Sequence, residues 1–187
     1  MALKSLIRKQ ELLRRKTLNP ENIRLLNEKL LEQFCRLDFS GIHTIHLFLP
    51  IEDKNEPDTF LFIDWLQLEH PKIKIVIPRA DFETFLMTHH VFAGREMLQK
   101  NKFQIWEPID DQEYSAEIDL VLVPLLAVDV HGYRVGYGKG FYDRFLETSG
   151  ALKVGVSFFA PEGEISDVHE NDIRLDCCLT PDTIVYF

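Results

Sequence analysis

One short segment of the sequence most limits the folds open to this chain. Residues 118–124 read Ile-Asp-Leu-Val-Leu-Val-Pro, which is an almost continuous apolar run. A continuous run, rather than an alternation of apolar and polar residues, is typical of a strand that is buried on both faces of a sheet. Parallel sheets with helices on both sides provide that environment. The segment therefore favours an α/β fold.

The rest of the chain alternates predicted helices with predicted strands. The helices are predicted over residues 3–16, 20–35, 58–69 and 141–148, and the strands over residues 42–49, 73–78, 84–92, 118–124, 152–158, 177–179 and 184–186. A length of 187 residues fits one domain, or at most two small ones. We expect a single α/β/α domain over residues 1–187, with three layers, a mainly parallel central sheet and a basic N-terminal helix.

In sheets of this kind, ligands bind beyond the carboxyl ends of the strands. This rule indicates three places in the sequence: the loop after Leu49, the corner at Pro78 and Arg79, and the segment after Pro124.

Charge is distributed unevenly along the chain. The formal net charge is −9, so we expect no binding to duplex nucleic acid or to a membrane surface. Residues 1–16 nevertheless hold six basic residues and one acidic residue. On a helix, Lys4, Arg8 and Arg15 fall within about 40° of one another, whereas Arg14 does not. This face either binds an anion or is a solvated helix surface.

Several classes of protein are disfavoured by what the sequence lacks. It contains no run of about 18 apolar residues that could span a bilayer, and no secretory signal. Its cysteines, Cys35, Cys177 and Cys178, fit neither a disulfide framework nor a paired zinc motif. The seven histidines lack the spacing of zinc ligands. We expect a monomer in a reducing, cytoplasmic compartment.

Candidate chemistry is concentrated in residues 129–144. Four of the nine glycines, at positions 132, 136, 138 and 140, lie here between a predicted buried strand and a predicted helix. Glycines allow backbone N–H groups to approach a phosphate closely, and a helix N-terminus adds partial positive charge. The segment matches neither the Walker A motif nor the dinucleotide fingerprint. It is either a phosphate-binding loop, to which Arg134 and Lys139 add charge, or a long solvated turn.

Residues 123–146, VPLLAVDVHGYRVGYGKGFYDRFL, resemble the signature of the 5-formyltetrahydrofolate cyclo-ligase family, also called 5,10-methenyltetrahydrofolate synthetases. The resemblance extends over essentially the whole chain. Its further matches are KSLIR at 4–8, FLPIEDKNEPDT at 48–59, IPR at 77–79, WEP at 106–108, KVGVSF at 153–158 and HENDIRLDCCLT at 169–180. It implies an enzyme that uses ATP and Mg²⁺ to convert 5-formyltetrahydrofolate into 5,10-methenyltetrahydrofolate, with ADP and phosphate as the other products.

The resemblance also implies roles for individual residues. It implies ATP binding by Lys4, Ser5, Leu6, Ile7 and Arg8, and by Arg134, Val135, Gly136, Tyr137, Gly138, Lys139, Gly140, Phe141 and Tyr142. It implies folate binding by Leu49, Ile51, Glu56 and the loop Gly136 to Gly140, and magnesium binding by Asp143 and Asp172. We expect Arg134 and Lys139 to act in catalysis by offsetting the charge of the transferred phosphoryl group.

Simpler roles remain open for these residues. Asp143 could complement a helix dipole, Asp172 could be a solvated turn residue, and Glu56 could cap the helix that follows it. Four aromatic residues could wall a pterin ring or belong to the core: Phe48, Trp106, Tyr133 and Tyr137.

For the N-terminal helix, the functional hypothesis is that Lys4 and Arg8 cover the ATP phosphates while the apolar stripe Leu3, Leu6 and Ile7 docks on the sheet. Two other functions stay open for the chain: another magnesium- and ATP-dependent phosphotransferase or ligase on the same fold, and a non-catalytic protein that binds folate or nucleotide.

Overall fold

A central sheet of seven strands organises the computed structural model, which describes residues 2–187. The helices are α1 (Lys4–Lys16), α2 (Pro20–Phe34), α3 (Phe60–Glu69) and α4 (Phe141–Leu146). The strands are β1 (Thr44–His46), β2 (Lys74–Ala80), β3 (Met87–Val91), β4 (Leu98–Lys100), β5 (Trp106–Pro108), β6 (Leu120–Pro124), β7 (Ala127–Val128), β8 (Arg134–Val135), β9 (Leu152–Val156), β10 (Cys177–Leu179) and β11 (Ile184–Tyr186).

The order of strands in the sheet is β11-β10-β9-β6-β1-β2-β3. The five inner strands are parallel, and the two edge strands, β3 and β11, run antiparallel to their neighbours. The predicted, mainly parallel sheet is therefore confirmed. Within residues 2–187, no helix is both long enough and apolar enough to cross a membrane.

Strand β6 is buried on both sides, as the apolar run predicts. Leu120 and Leu122 belong to a core beneath α2 and α3, where the rings of Phe34 and Phe62 stack at 4.5 Å. Val121 and Val123 belong to a second core on the opposite face, beneath α4. Helices thus cover both faces of the sheet, and the three-layer α/β/α architecture is confirmed.

Helix α2 begins where the sequence predicts it to begin. The side chain of Asn19 accepts a hydrogen bond of 2.8 Å from the backbone N–H of Asn22, and Pro20 occupies the first turn. Both residues suit these positions, because Asn satisfies a free N–H and Pro lacks one.

Two antiparallel ribbons were not predicted. One joins β4 to β5, and the other joins β7, which directly precedes the predicted glycine-rich loop, to β8 within that loop. Their strands have only two or three residues, which is too short for a recognisable alternation of apolar and polar positions. The second ribbon shortens the irregular part of the loop and places its remaining glycines directly before α4.

Helix α1 faces the domain with its basic side, so the predicted docking of the stripe Leu3, Leu6 and Ile7 is wrong for its two leucines, whereas Ile7 is half-buried. Leu3 and Leu6 are 54% and 50% exposed. Arg15 is instead 1% exposed and donates to the backbone carbonyl of Leu125. Because basic side chains on this face find acceptors in the domain, their hydrogen bonds set the rotation of the helix.

Candidate active site

A cavity of about 400 Å³ opens beyond the carboxyl ends of β1, β2 and β6. Leu49, Pro78 and Pro124, which mark the three places indicated by the sequence, all line it. Helix α1 and the loop before α4 provide further walls. A cavity of this size accommodates a drug-sized molecule.

Cationic side chains and glycines form one side of the cavity. Lys4, Arg8 and Lys139 line it, and the guanidinium Nε of Arg8 donates to the carbonyl of Gly136 at 2.8 Å. Gly138 has a φ of +83°, in the left-handed region, and a Cβ atom there would lie 3.2 Å from the guanidinium group of Arg8. The close approach of helix and loop therefore depends on glycine at this position.

The two predicted magnesium ligands lie in the same cavity wall, each beside a basic residue. Asp143 Oδ1 accepts from Nη2 of Arg134 at 2.7 Å and from the backbone N–H of Ile173 at 3.3 Å. Asp172 Oδ2 forms an ion pair with Lys4 and accepts from the backbone N–H of His169. Partial burial raises the pKa of Asp172, but the His169 N–H and Lys4 outweigh it and hold that pKa below its ordinary value. The pairing with Lys4 therefore favours the ionised form of Asp172.

The donor set fits a magnesium ion that is bound jointly with phosphate. Within residues 2–187, Asp143 Oδ2 and Asp172 Oδ1 have no hydrogen-bond partner in the protein, although both residues line the cavity. No group of three or more His, Cys, Asp or Glu side chains suited to hold a metal was found in that range. Mg²⁺ commonly binds one or two carboxylates together with substrate phosphates and water. Two carboxylates beside a cationic loop meet that requirement.

A buried carboxylate also lines the cavity. Glu56 is 6% exposed, and its Oε1 accepts from the Tyr137 hydroxyl at 2.7 Å while its Oε2 accepts from the Ile51 N–H at 2.7 Å. Burial raises its pKa, and these two hydrogen bonds oppose the increase. The side chain makes no hydrogen bond to α3, whose N-cap is Thr59, so the helix-capping interpretation is wrong.

Apolar and aromatic side chains line the same cavity as Glu56. Phe48, Leu49, Ile51, Trp106 and Tyr137 all line the cavity. The indole N–H of Trp106 donates to Glu52 at 3.0 Å, which ties the β4–β5 ribbon to the loop that carries Glu56. The cavity can therefore receive a flat ring that presents N–H donors to a carboxylate.

Some predicted residues lie outside the cavity lining. They are Ser5, Leu6, Ile7, Tyr133 and Val135. Ser5 and Leu6 are exposed on α1, Ile7 lines a separate cavity of about 290 Å³, and Val135 is completely buried. In this structure the N-terminal segment reaches the cavity through Lys4 and Arg8.

Several other residues that line the cavity could not be predicted from sequence motifs. Ala80, Phe82 and Met87 come from the β2–β3 hairpin, and Asn101 and Ile105 come from the β4–β5 ribbon. These residues are ordinary in type, and only the antiparallel pairing of short strands brings them over the cavity. Phe82 packs against the predicted Phe141 with ring centroids 5.3 Å apart.

The fold and the cavity together are typical of an α/β enzyme that binds its ligands beyond the carboxyl ends of the strands. The family model for the 5-formyltetrahydrofolate cyclo-ligase family matches residues 1–181. The chain belongs to this family. The resemblance inferred from the sequence and the expectation of an enzyme are both confirmed.

Individual relatives agree with the family match. A 5-formyltetrahydrofolate cyclo-ligase from Mycoplasma pneumoniae is 30% identical over 180 residues, covering 92% of this chain and 95% of the relative. One from Escherichia coli is 25% identical over 148 residues, covering 76% and 80%.

Two solved structures share the fold. The NMR structure of the Aquifex aeolicus 5,10-methenyltetrahydrofolate synthetase has a TM-score of 0.75 and 29% identity, covering 99% of this chain and 93% of that one. A 5,10-methenyltetrahydrofolate synthetase from Mycoplasma pneumoniae has a TM-score of 0.72 and 26% identity, covering 94% and 97%.

Proposed function

We propose that the protein converts 5-formyltetrahydrofolate into 5,10-methenyltetrahydrofolate with ATP, releasing ADP and phosphate, and that Mg²⁺ accompanies the nucleotide. The observation that carries this proposal is that two chemically different sets of residues line one cavity, here called its cationic half and its carboxylate half. One half holds Lys4, Arg8 and Lys139, and the other holds apolar residues and Glu56. Two ligands of different chemistry can therefore meet in it.

The half around Glu56 suits the pterin ring. An ionised carboxylate accepts two roughly parallel N–H donors well, and a pterin presents such donors on its amino group and ring. Each oxygen of Glu56 already holds one protein donor and keeps capacity for another. Phe48 and Trp106 offer apolar surface to the ring.

The cationic half suits a triphosphate. Lys4, Arg8 and Lys139 would offset phosphate charge, and backbone N–H groups of the glycine loop can donate to phosphate oxygens. Both Nη atoms of Arg134 are engaged, one by Asp143 and the other by the carbonyl of Ile173. We therefore propose that Arg134 orients Asp143 while adding positive charge to the cavity wall.

Asp143 and Asp172 are the residues that would hold Mg²⁺. When bound with the nucleotide, the ion supplies further neutralisation of phosphate charge.

The reaction needs activation because an amide oxygen is a poor leaving group. The formyl oxygen attacks the γ-phosphorus of ATP, so that an O–P bond forms while the bond to ADP breaks. N10 then bonds to the formyl carbon and loses its proton to water, and the C–O bond breaks with release of phosphate. The task of the protein is to position the reactants and neutralise charge, and no side-chain nucleophile is required.

The test is an incubation of the protein with ATP, Mg²⁺ and 5-formyltetrahydrofolate, with the methenyl chromophore and ADP followed together. We expect both products to appear in equal amounts, and neither when one substrate is omitted. Lys139→Met should lower the rate, whereas Lys29→Met, which removes a surface lysine paired with Asp182, should not. ADP release that is independent of the folate would favour another ATP-dependent enzyme. Folate binding without turnover would favour a binding protein.

A further inference from the structure

Arg15 is the one basic residue of α1 that is completely buried. It is 1% exposed and heads the largest fully buried side chains of the described residues. A buried guanidinium is costly unless its N–H groups are hydrogen-bonded and its charge is balanced. The hydrogen-bond partners of Arg15 therefore need an explanation. Arg15 does not line the main cavity, so direct contact with a ligand there does not provide one.

The side chain of Arg15 begins a hydrogen-bonded chain that ends in the cavity. Its Nη2 donates to the Leu125 carbonyl, and its Nη1 lies 3.4 Å from the Tyr137 hydroxyl. That hydroxyl lies 2.7 Å from Glu56 Oε1. The carbonyl of Arg15 in turn accepts from the side chain of Asn55, beside Glu56, at 2.9 Å.

The donors available on each side chain fix the direction of these hydrogen bonds. A guanidinium has only donors, so the Tyr137 oxygen must accept from Arg15. The single hydroxyl proton of Tyr137 is then left for Glu56. A carboxylate that accepts hydrogen bonds from the Tyr137 hydroxyl and from the N–H of Ile51 is held in one orientation.

We propose that Arg15 is a positioning residue for folate, which fixes Tyr137 and Glu56 in the arrangement that accepts the N–H donors of the pterin ring. This inference rests on the proposed function, because it assigns Glu56 to the folate. Helix α1 then serves both ligands: Lys4 and Arg8 face the cationic half, and Arg15 supports the carboxylate half from behind. Removing the guanidinium should weaken folate binding and leave ATP binding nearly unchanged.

The test compares Arg15→Met, Arg15→Lys and the matched control Arg14→Met. Arg14 neighbours Arg15 on the same helix, but its side chain is 43% exposed and pairs with Glu11 and Glu162. We expect Arg15→Met to raise the KM for 5-formyltetrahydrofolate by roughly tenfold to a hundredfold, the loss typical of hydrogen bonds to charged groups. The KM for ATP should change less than about twofold by the same reasoning, Arg15→Lys should be intermediate, and Arg14→Met should match the unaltered protein.

A second readout separates positioning from general packing. The charges of Arg15 and Lys54 both lower the pKa of Glu56, and Arg15 does so more strongly. Loss of Arg15 should therefore move the acidic limb of the pH profile of kcat/KM for folate to higher pH in Arg15→Met. An unchanged folate KM, or an equal rise in both KM values, would overturn the proposal. If Arg15→Met does not fold, Arg15→Lys is compared in the unaltered protein and in Tyr137→Phe. Arg15→Lys should weaken folate binding only where Tyr137 is present. An equal effect in the unaltered protein and in Tyr137→Phe would overturn the proposal that Arg15 acts through Tyr137.

Equilibrium binding of 5-formyltetrahydrofolate without ATP keeps this test independent of turnover. If the unaltered protein binds the folate but forms no methenyl product, the proposed reaction fails while Arg15 can still be judged from the binding constants. If turnover is normal and Arg15→Met binds the folate as tightly as the unaltered protein, only the role of Arg15 fails.

Discussion

Lys4 and Asp172 form an ion pair across 168 positions of the chain. The backbone N–H of Lys4 also donates to Asp167 at 2.7 Å, so the segment before β10 holds the first turn of α1 in place. Lys4 and Asp172 line the cavity together. This pair therefore links the position of the basic helix to a proposed magnesium ligand.

We expect Asp172→Asn to raise the KM for ATP and the Mg²⁺ concentration that gives half-maximal activity. The substitution removes one anionic ligand and the charge partner of Lys4, and each rise should be roughly tenfold. Steady-state rates measured over a range of MgATP concentrations test this. Asp182→Asn is the control, since Asp182 forms an exposed pair with Lys29. Unchanged magnesium dependence in Asp172→Asn would count against a ligand role.

Asp143→Ala should affect stability and activity together. The side chain of Arg134 is 6% exposed, and Asp143 is its carboxylate partner. Leaving a buried charge without its partner should lower the free energy of unfolding by about 3 kcal/mol. Loss of the proposed ligand should lower kcat by about a hundredfold or more. Urea unfolding and steady-state kinetics measure the two effects.

The double variant Arg134→Met/Asp143→Ala separates these two effects. Removing both charges should restore much of the stability, because no unpaired guanidinium remains. Activity should stay low in the double variant, since the proposed ligand is still missing. Recovery of activity along with stability would show that Asp143 acts only as the partner of Arg134.

Gly138→Ala should weaken ATP binding. Its φ of +83° is unfavourable for alanine, and the added Cβ would lie 3.2 Å from the Arg8 guanidinium. The strain should cost about 1 to 2 kcal/mol, which corresponds to a rise of roughly tenfold in the KM for ATP if the loop shifts. Gly150→Ala is the matched control, because a Cβ there meets no atom within 4 Å. Equal ATP affinities in the two variants would contradict this prediction.

Two neighbouring histidines, one buried and one half-buried, make stability depend on pH. His46 is completely buried, its two ring nitrogens have no hydrogen-bond partner within residues 2–187, and its ring lies 5.1 Å from that of His89. Burial lowers the pKa of His46 well below its ordinary value and that of His89 to about 4. In the unfolded chain both histidines titrate near pH 6.5.

Between about pH 6.5 and pH 4, the unfolded chain therefore binds protons that the folded protein excludes. The free energy of unfolding should fall as the pH falls through this window, by up to about 1.4 kcal/mol per pH unit for each histidine. His46→Leu should reduce that slope, and the surface variant His43→Gln serves as control. Urea unfolding at several pH values measures the slopes. A slope unchanged by His46→Leu would disprove the assignment.

The sheet could be predicted because its strands have a simple apolar pattern. Leu120, Val121, Leu122 and Val123 alternate between two buried faces, so a continuous apolar run marked the strand correctly. The position of the cavity followed from the topology, since parallel strands end at the same edge of a sheet.

The rotation of α1 could not be predicted from periodicity. Its leucines formed the expected apolar stripe, yet Leu6 is exposed and Arg15 is buried. A helix buries its apolar stripe unless its opposite face makes stronger contacts with the rest of the protein. Here Leu125, Gly136 and Asp172 supply acceptors for the basic face, and these acceptors lie more than a hundred residues away in sequence.

The dependence of α1 on residues 164–172 has a consequence for biosynthesis. The backbone of Ala2 bonds to Glu164 and Ser166, and Lys4 bonds to Asp167 and Asp172, so the start of the helix cannot dock until those residues are available. Because a chain emerges from the ribosome N-terminal end first, α1 is synthesised long before residues 164–172, to which it binds. A chain interrupted before residue 164 can contain the glycine loop but lacks the anchors that fix Lys4 beside it. Such truncated chains should be unable to capture ATP.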